Sequence, residues 1–205
     1  MPARGRGGIL AADMARGALR WWLRSFAIGG AVGLTVGFVV GGVLGRVFMR
    51  LLFVARRESE GFETALGAIV GDFTTGGTVF IAVFGGGIGL LTGLGYVVCR
   101  RLLPPRLLWR EVLFVLLVSL LLFGIVVRQN LEDFGILPPT LALALTAGAI
   151  ALTAVPIPLL IERLAPDRAR SPGAVSRLVL AGAFVAVLVL AVRAAVDAYR
   201  VEDLL

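Results

Sequence analysis

The stretch GGAVGLTVGFVVGGVLG, residues 29–45, carries a glycine at every fourth position. Because an α-helix has 3.6 residues per turn, residues four apart lie on one slowly drifting face. A face without side chains lets a second backbone approach closely, which is a common way for membrane helices to pack. The stretch therefore predicts a helix that packs closely against a neighbour. The predicted packing residues are Gly29, Gly33, Gly37, Gly41 and Gly45.

A second stretch repeats this spacing with Gly85, Gly89 and Gly93. The sequence GGAVGL at 29–34 aligns with GGGIGL at 85–90. The match indicates either an inverted repeat, as in many transporters, or two faces that look alike because they perform the same packing. We expect the two helices to form an antiparallel hairpin. The five-glycine face is longer than this pairing needs, so we expect part of it to meet another subunit.

The composition places these stretches in a membrane. Hydrophobic residues make up 59% of the 205 residues and charged residues 16%, whereas soluble domains have about 45–50% and about 25%. The long runs with few charges predict five spans, at 26–46, 78–99, 108–127, 140–161 and 177–196. Since a bilayer offers the backbone no water, all five should be helices. The predicted fold is all-α, a polytopic bundle of five transmembrane helices.

The arginines predict the orientation of the bundle. All 20 basic residues are arginine, and 13 of them fall on one side of the predicted spans. The positive-inside rule then places the N-terminus in the cytoplasm and the C-terminus outside. Arginine without lysine fits a GC-rich genome, so we expect a bacterial cytoplasmic membrane. The charges are scattered at span ends rather than gathered on one face, which favours the lipid bilayer and not nucleic acid as partner.

Residues 1–25 form a predicted interfacial segment on the cytoplasmic side. Arg16, Arg20 and Arg24 recur every four residues and so form one helical stripe, beside Trp21 and Trp22. Tryptophan is enriched where a span meets the headgroups. The three arginines are interpreted as orienting anchors, and the alternative is that they contact anionic lipids.

Two prolines lie inside the fourth apolar run. Pro156 and Pro158 lack an N–H group, so the carbonyls of Leu152 and Ala154 lose their helical donors. We expect the hydroxyl of Thr153 to satisfy one of them. The prolines predict a kink, which is either a static shape or a hinge.

The composition also removes most catalytic chemistry. The chain has no histidine and one cysteine, Cys99. This excludes Ser-His and Cys-His nucleophiles, as well as zinc sites rich in nitrogen and sulfur. We therefore predict no catalytic residue, no cofactor and no metal ligand. A weaker alternative uses four acids in the predicted outer loop at about 47–77, either in an enzyme or as cation ligands; they are Glu58, Glu60, Glu63 and Asp72.

The predicted function follows from what the spans lack. No ionisable side chain lies near the middle of any span, which argues against a proton-coupled transporter. The sequence favours a non-enzymatic protein that acts as an accessory or scaffold subunit. Its predicted five-helix bundle comprises residues 26–196 and is followed by a short outer tail at 197–205. It would associate with other membrane helices, as a homo-oligomer or in a larger complex. The alternative is a transport protein, either an oligomeric pore or a half-carrier.

Overall fold

The structure is a computed structural model that describes residues 4–55, 75–104, 106–129, 139–166 and 173–202. Within these ranges the chain is helical apart from short connections and contains no strand. The helices are α1 (Arg4–Val36), a π-helical turn (Gly37–Gly41), α2 (Gly42–Ala55), α3 (Thr75–Cys99), α4 (Leu107–Gln129), α5 (Pro139–Ala154), α6 (Pro156–Leu164) and α7 (Ala174–Glu202).

Five stretches of these helices are long and apolar enough to cross a membrane. They are Arg16–Val47, Thr75–Cys99, Leu107–Gln129, Thr140–Leu164 and Leu178–Arg200. For the described residues, the prediction of an all-helical fold with five helices long and apolar enough to span a membrane is therefore confirmed. Four of the helical segments run at most 6 residues beyond the predicted spans, whereas the first begins 22 residues before and ends 9 residues after its span, because backbone hydrogen bonding continues where the apolar sequence ends. The orientation of the termini stays a prediction.

The first span lies in one unbroken helical segment from Arg4 to Ala55. The interfacial segment is thus continuous with the span, and the helix runs on through Ala55 into the predicted outer loop at about 47–77. The even glycine spacing predicted a regular α-helix, yet Gly37–Gly41 is a π turn. A stripe repeating every four residues drifts around a 3.6-residue helix, and the wider turn reduces that drift.

The loop acids, at residues 58–72, lie outside the described residues.

The bundle consists of two packed helix pairs with α5 and α6 between them. The segment α1–α2 packs along α3, and α4 packs along α7. Helices α5 and α6 lie between, touching α4 on one side and the first segment on the other. The larger core cluster joins α1, α3, α4, α5 and α6 through nine buried residues, Val36, Tyr96, Val97, Leu103, Phe114, Val118, Ala154, Ile157 and Ile161.

Candidate functional site

The glycines of the first span face those of α3 at backbone contact. A Cβ atom added to Gly33 would overlap the carbonyl oxygen of Gly89, and one added to Gly93 would overlap that of Gly29. One added to Gly85 would lie 2.6 Å from the carbonyl oxygen of Gly37. No side chain fits into this contact, so only glycine permits the two backbones to approach this closely.

The last two glycines of the series, Gly41 and Gly45, also face α3. An added Cβ on Gly41 would lie 3.4 Å from Gly85 Cα, and one on Gly45 would lie 2.6 Å from Ile81 Cγ2. Every glycine from 29 to 45 in this register therefore meets α3. The expectation that part of the face is left over for another subunit is wrong, because the π turn keeps the later glycines turned towards α3.

The two prolines interrupt the fourth span at a single residue. Val155 separates α5 from α6, but its φ of −61° and ψ of −48° are helical. Its N–H group still donates to the carbonyl of Ala151 at 3.0 Å. Thr153 does not satisfy either freed carbonyl, since its hydroxyl donates to Ala149 at 2.8 Å. That expectation is wrong because a threonine hydroxyl reaches the carbonyl one turn behind it, not the ones beside it.

A cluster of charged side chains is buried where α3, α4 and α6 come together. Glu162 of α6 is its centre. One carboxylate oxygen, Oε1, accepts a hydrogen bond from the Tyr96 hydroxyl at 2.8 Å. The other, Oε2, lies 2.8 Å from Nη2 of Arg110 on α4. The side chains of Arg110 and Glu162 are 3% and 6% exposed, so this ion pair is largely removed from water.

Arg100, directly after α3, is the second cation of the cluster. Its Nη1 donates to the carbonyl of Ala165 at 2.9 Å and lies 3.9 Å from Oε1 of Glu162. Its Nη2 donates to the Ser25 hydroxyl of α1 at 2.9 Å. The side chain of Arg100 is fully buried. One residue thus links the interior of α1 to the ends of α3 and α6, which stabilises their relative positions through charge-assisted hydrogen bonds.

Arg110 has more N–H donors than Glu162 accepts. Nε and Nη1 of Arg110 are buried and have no hydrogen-bond partner among the described residues. Leaving such donors unpaired costs about 1–3 kcal/mol each. Glu111, the next residue, is also buried. An arrangement with this excess of N–H donors suits an anion or water rather than a metal cation.

Exposed arginines and aromatic rings lie next to the buried cluster. The guanidinium carbon of Arg101 lies 4.3 Å from the Trp22 ring centroid and 4.7 Å from that of Trp21. Arg100 contacts the same Trp21 ring at 4.9 Å. The three predicted lipid-contact arginines, Arg16, Arg20 and Arg24, are all exposed on α1.

The sequence reasoning missed the buried cluster. It interpreted Arg100, Arg110, Glu111 and Glu162 as charges that orient the spans. A signal was present, since the predicted topology placed all four on one side, at the ends of three adjacent spans. The spacing of Tyr96 and Arg100, four residues apart, also places them on one helix face.

No protein-family model, no curated protein and no solved structure matches this chain. Three features of the described residues bear on function: the backbone contact of α1 with α3, the buried Arg–Glu cluster, and the exposed face of α7. In the most apolar stretch of α7 only 11% of the residues are buried, against 28–39% in the other four spans.

Proposed function

We propose that this protein is a non-enzymatic accessory or scaffold subunit of a membrane complex, and that α7 is its docking helix. The observation that carries the proposal is the uncovered face of α7. Val185, Val189, Val192 and Val196 recur on one face, and each is 43–60% exposed. The opposite face carries Ala191, Ala194 and Ala198, which are buried. One side of α7 is thus packed inside the bundle and the other is available to a second helix.

The packing of the other helices supports this proposal, because it gives α7 a stable structure to pack against. The glycine contact of α1 with α3 and the buried Arg–Glu cluster involve four of the remaining helices. The glycines from Gly29 to Gly45 in this register already pack on α3, so the proposal assigns association to another surface. Exposed valines suit this purpose, since their side chains lose little rotamer freedom when a second helix packs on them.

We propose further that the bundle lies in a bacterial cytoplasmic membrane with its N-terminus inside. This orientation places the buried Arg–Glu cluster and the exposed arginines of α1 at the cytoplasmic surface. The anionic lipids of that leaflet attract arginine, which agrees with the excess of arginines on this side.

The docking role is tested by crosslinking in native membranes. A photoreactive phenylalanine analogue replaces Val189 in one variant and Leu91 of α3 in a matched control. Leu91 is 71% exposed and lies on another helix. We expect a discrete protein adduct of one mass from position 189 and none from position 91. Lipid adducts alone at both positions would contradict the proposal.

A second variant separates docking from folding. Val192→Trp enlarges an exposed side chain on the docking face, and Leu91→Trp does so elsewhere. Neither change enters the core, so both variants should fold. We expect Val192→Trp to reduce the size of the complex purified in mild detergent, whereas Leu91→Trp leaves it unchanged. Equal sizes for wild type and both variants would count against α7 as the docking helix.

One observation favours transport as a second candidate. The Arg–Glu cluster is buried among helix ends beside a span interrupted by Pro156 and Pro158. Ionisable groups buried in membrane proteins often line solute pathways, and unpaired N–H donors on Arg110 favour an anion. The test is tracer flux of chloride and inorganic phosphate into liposomes. Flux that Arg110→Gln abolishes and Arg128→Gln preserves would support transport, while flux equal to that of empty liposomes would exclude it for these anions.

A further inference from the structure

Arg101 is held in place by two aromatic rings and yet remains exposed. Its guanidinium carbon lies 4.3 Å from the Trp22 centroid and 4.7 Å from the Trp21 centroid. Trp22 is in turn stacked on Phe26, with centroids 5.3 Å apart. The rings of Trp21 and Trp22 stand at 77° to each other, so the flat face of the guanidinium stacks on at most one of them. Because Arg101 stays exposed, its N–H groups that do not point at a ring are available to a ligand, and a guanidinium fork matches two oxygens of a phosphate group.

Among the described residues, no carboxylate pairs with the exposed arginines next to these rings. Arg20 and Arg24 of α1 lie one residue before and three residues after Trp21, and both are exposed. In the described part of the chain, neither they nor Arg101 pair with a carboxylate. The buried Arg110, by contrast, pairs with Glu162. Three exposed guanidinium groups with no paired carboxylate in the described ranges create a local attraction for an anion.

Exposed apolar side chains on the same turns of α1 as Arg20 and Arg24 indicate that the anion is part of a lipid. Leu19 and Leu23 directly precede Arg20 and Arg24, and they are 60% and 61% exposed. A free phosphate ion would gain nothing from this apolar surface, whereas an acyl chain would be buried against it. Tryptophan rings also prefer the depth at which the headgroups lie.

We propose that Trp21, Trp22 and Arg101, together with Arg20 and Arg24, form a binding site for the phosphate group of an anionic phospholipid. The rings position Arg101, the two α1 arginines add charge, and the two leucines contact the upper acyl chain. This inference does not depend on the docking role of α7. It concerns other parts of the chain, α1 and Arg101, and its ligand is a lipid rather than a protein partner.

The site is tested by quenching of tryptophan fluorescence in reconstituted full-length protein. The chain has three tryptophans, so Trp109→Phe leaves only Trp21 and Trp22 as reporters. The vesicles are phosphatidylcholine with a minor fraction of brominated phosphatidylglycerol, or with the same fraction of brominated phosphatidylcholine. We expect several-fold stronger quenching by the brominated phosphatidylglycerol, because the anionic lipid is enriched at the reporters.

Single substitutions then identify the arginines responsible. Each arginine removed should reduce the preference for the anionic lipid about fivefold, so we expect this from Arg101→Gln and from Arg24→Gln. Arg101→Lys keeps the charge but loses the planar fork, so its preference should fall between those of wild type and Arg101→Gln. The matched control is Arg128→Gln, which removes an exposed arginine at the far end of α4.

Three results would overturn the proposal. The first is an unchanged lipid preference in Arg101→Gln. The second is an equal loss in Arg128→Gln, which would indicate an effect of net charge alone. The third is loss of the preference when inorganic phosphate replaces chloride at constant ionic strength, which would assign the site to free phosphate instead of a lipid. Circular dichroism of every variant establishes that it is folded.

Discussion

Arg110 and Glu162, 52 residues apart in sequence, form an ion pair of 2.8 Å in which neither side chain is more than 6% exposed. Each belongs to a different helix, and each lies in the terminal turns of its helix. Removing such charges from water is costly, and only close pairing with further hydrogen bonds offsets the cost. Glu162 meets this requirement through Tyr96 and Arg110 together. The following predictions test whether this cluster and the glycine contact stabilise the fold.

Glu162→Gln should destabilise the protein by about 3–5 kcal/mol, because it removes the carboxylate that forms the 2.8 Å ion pair with the buried Arg110. Arg110→Gln should cost a similar amount. The double variant should cost clearly less than both single changes combined, since it leaves no unpaired charge at that position. Unfolding by denaturing detergent in mixed micelles measures all three. Strictly additive costs would mean that the two residues do not interact.

Tyr96→Phe should lower the free energy of unfolding by about 1–2 kcal/mol, since it removes one hydrogen bond to a carboxylate. The ring itself stays, so its edge-on contact with Phe114, at 4.8 Å between centroids, is retained. The matched control is Tyr199→Phe, because Tyr199 is 44% exposed. The same unfolding assay should show no change for Tyr199→Phe. Equal effects of the two substitutions would exclude a stabilising role for the Tyr96 hydroxyl.

Gly33→Ala should destabilise the bundle by about 3 kcal/mol or more, because its Cβ would overlap the carbonyl oxygen of Gly89 and force α1 and α3 apart. Gly87→Ala is the control on the neighbouring helix, since an added Cβ there meets nothing within 4 Å. Alanine favours a helix over glycine by up to about 1 kcal/mol. Gly87→Ala should therefore be neutral or stabilising in thermal unfolding. A Gly33→Ala variant as stable as wild type would contradict the close contact.

The predicted orientation is tested by cysteine labelling of intact cells. In a Cys99→Ser background, Arg200→Cys should react with a membrane-impermeant maleimide added from outside. Arg16→Cys should react only after the membrane is opened, because the positive-inside rule places it in the cytoplasm. Both residues are exposed, so access depends on the side of the membrane rather than on burial. The opposite labelling pattern would reverse the orientation.

The candidate site shows where sequence reasoning reached its limit. The four-residue spacing of Gly29 to Gly45 was sufficient to predict a close backbone contact, because helical periodicity translates spacing directly into a face. The same periodicity carries no information on which charged helix ends meet. Arg110 and Glu162 each look like ordinary flanking charges, and only the packing of α4 against α6 and α3 makes them neighbours.

The sequence by itself determined the fold class and the number of spans. Apolar runs of about 20 residues have few alternatives to a helix in a medium that cannot hydrogen-bond the backbone. The tertiary structure alone decided that all five glycines of the first span are used on α3, through a π turn that the even spacing does not predict. It also decided that Glu162 pairs with Arg110 and contacts Arg100. The reason is physical: backbone hydrogen bonding is local in sequence, whereas ion pairs between helices depend on how the helices pack.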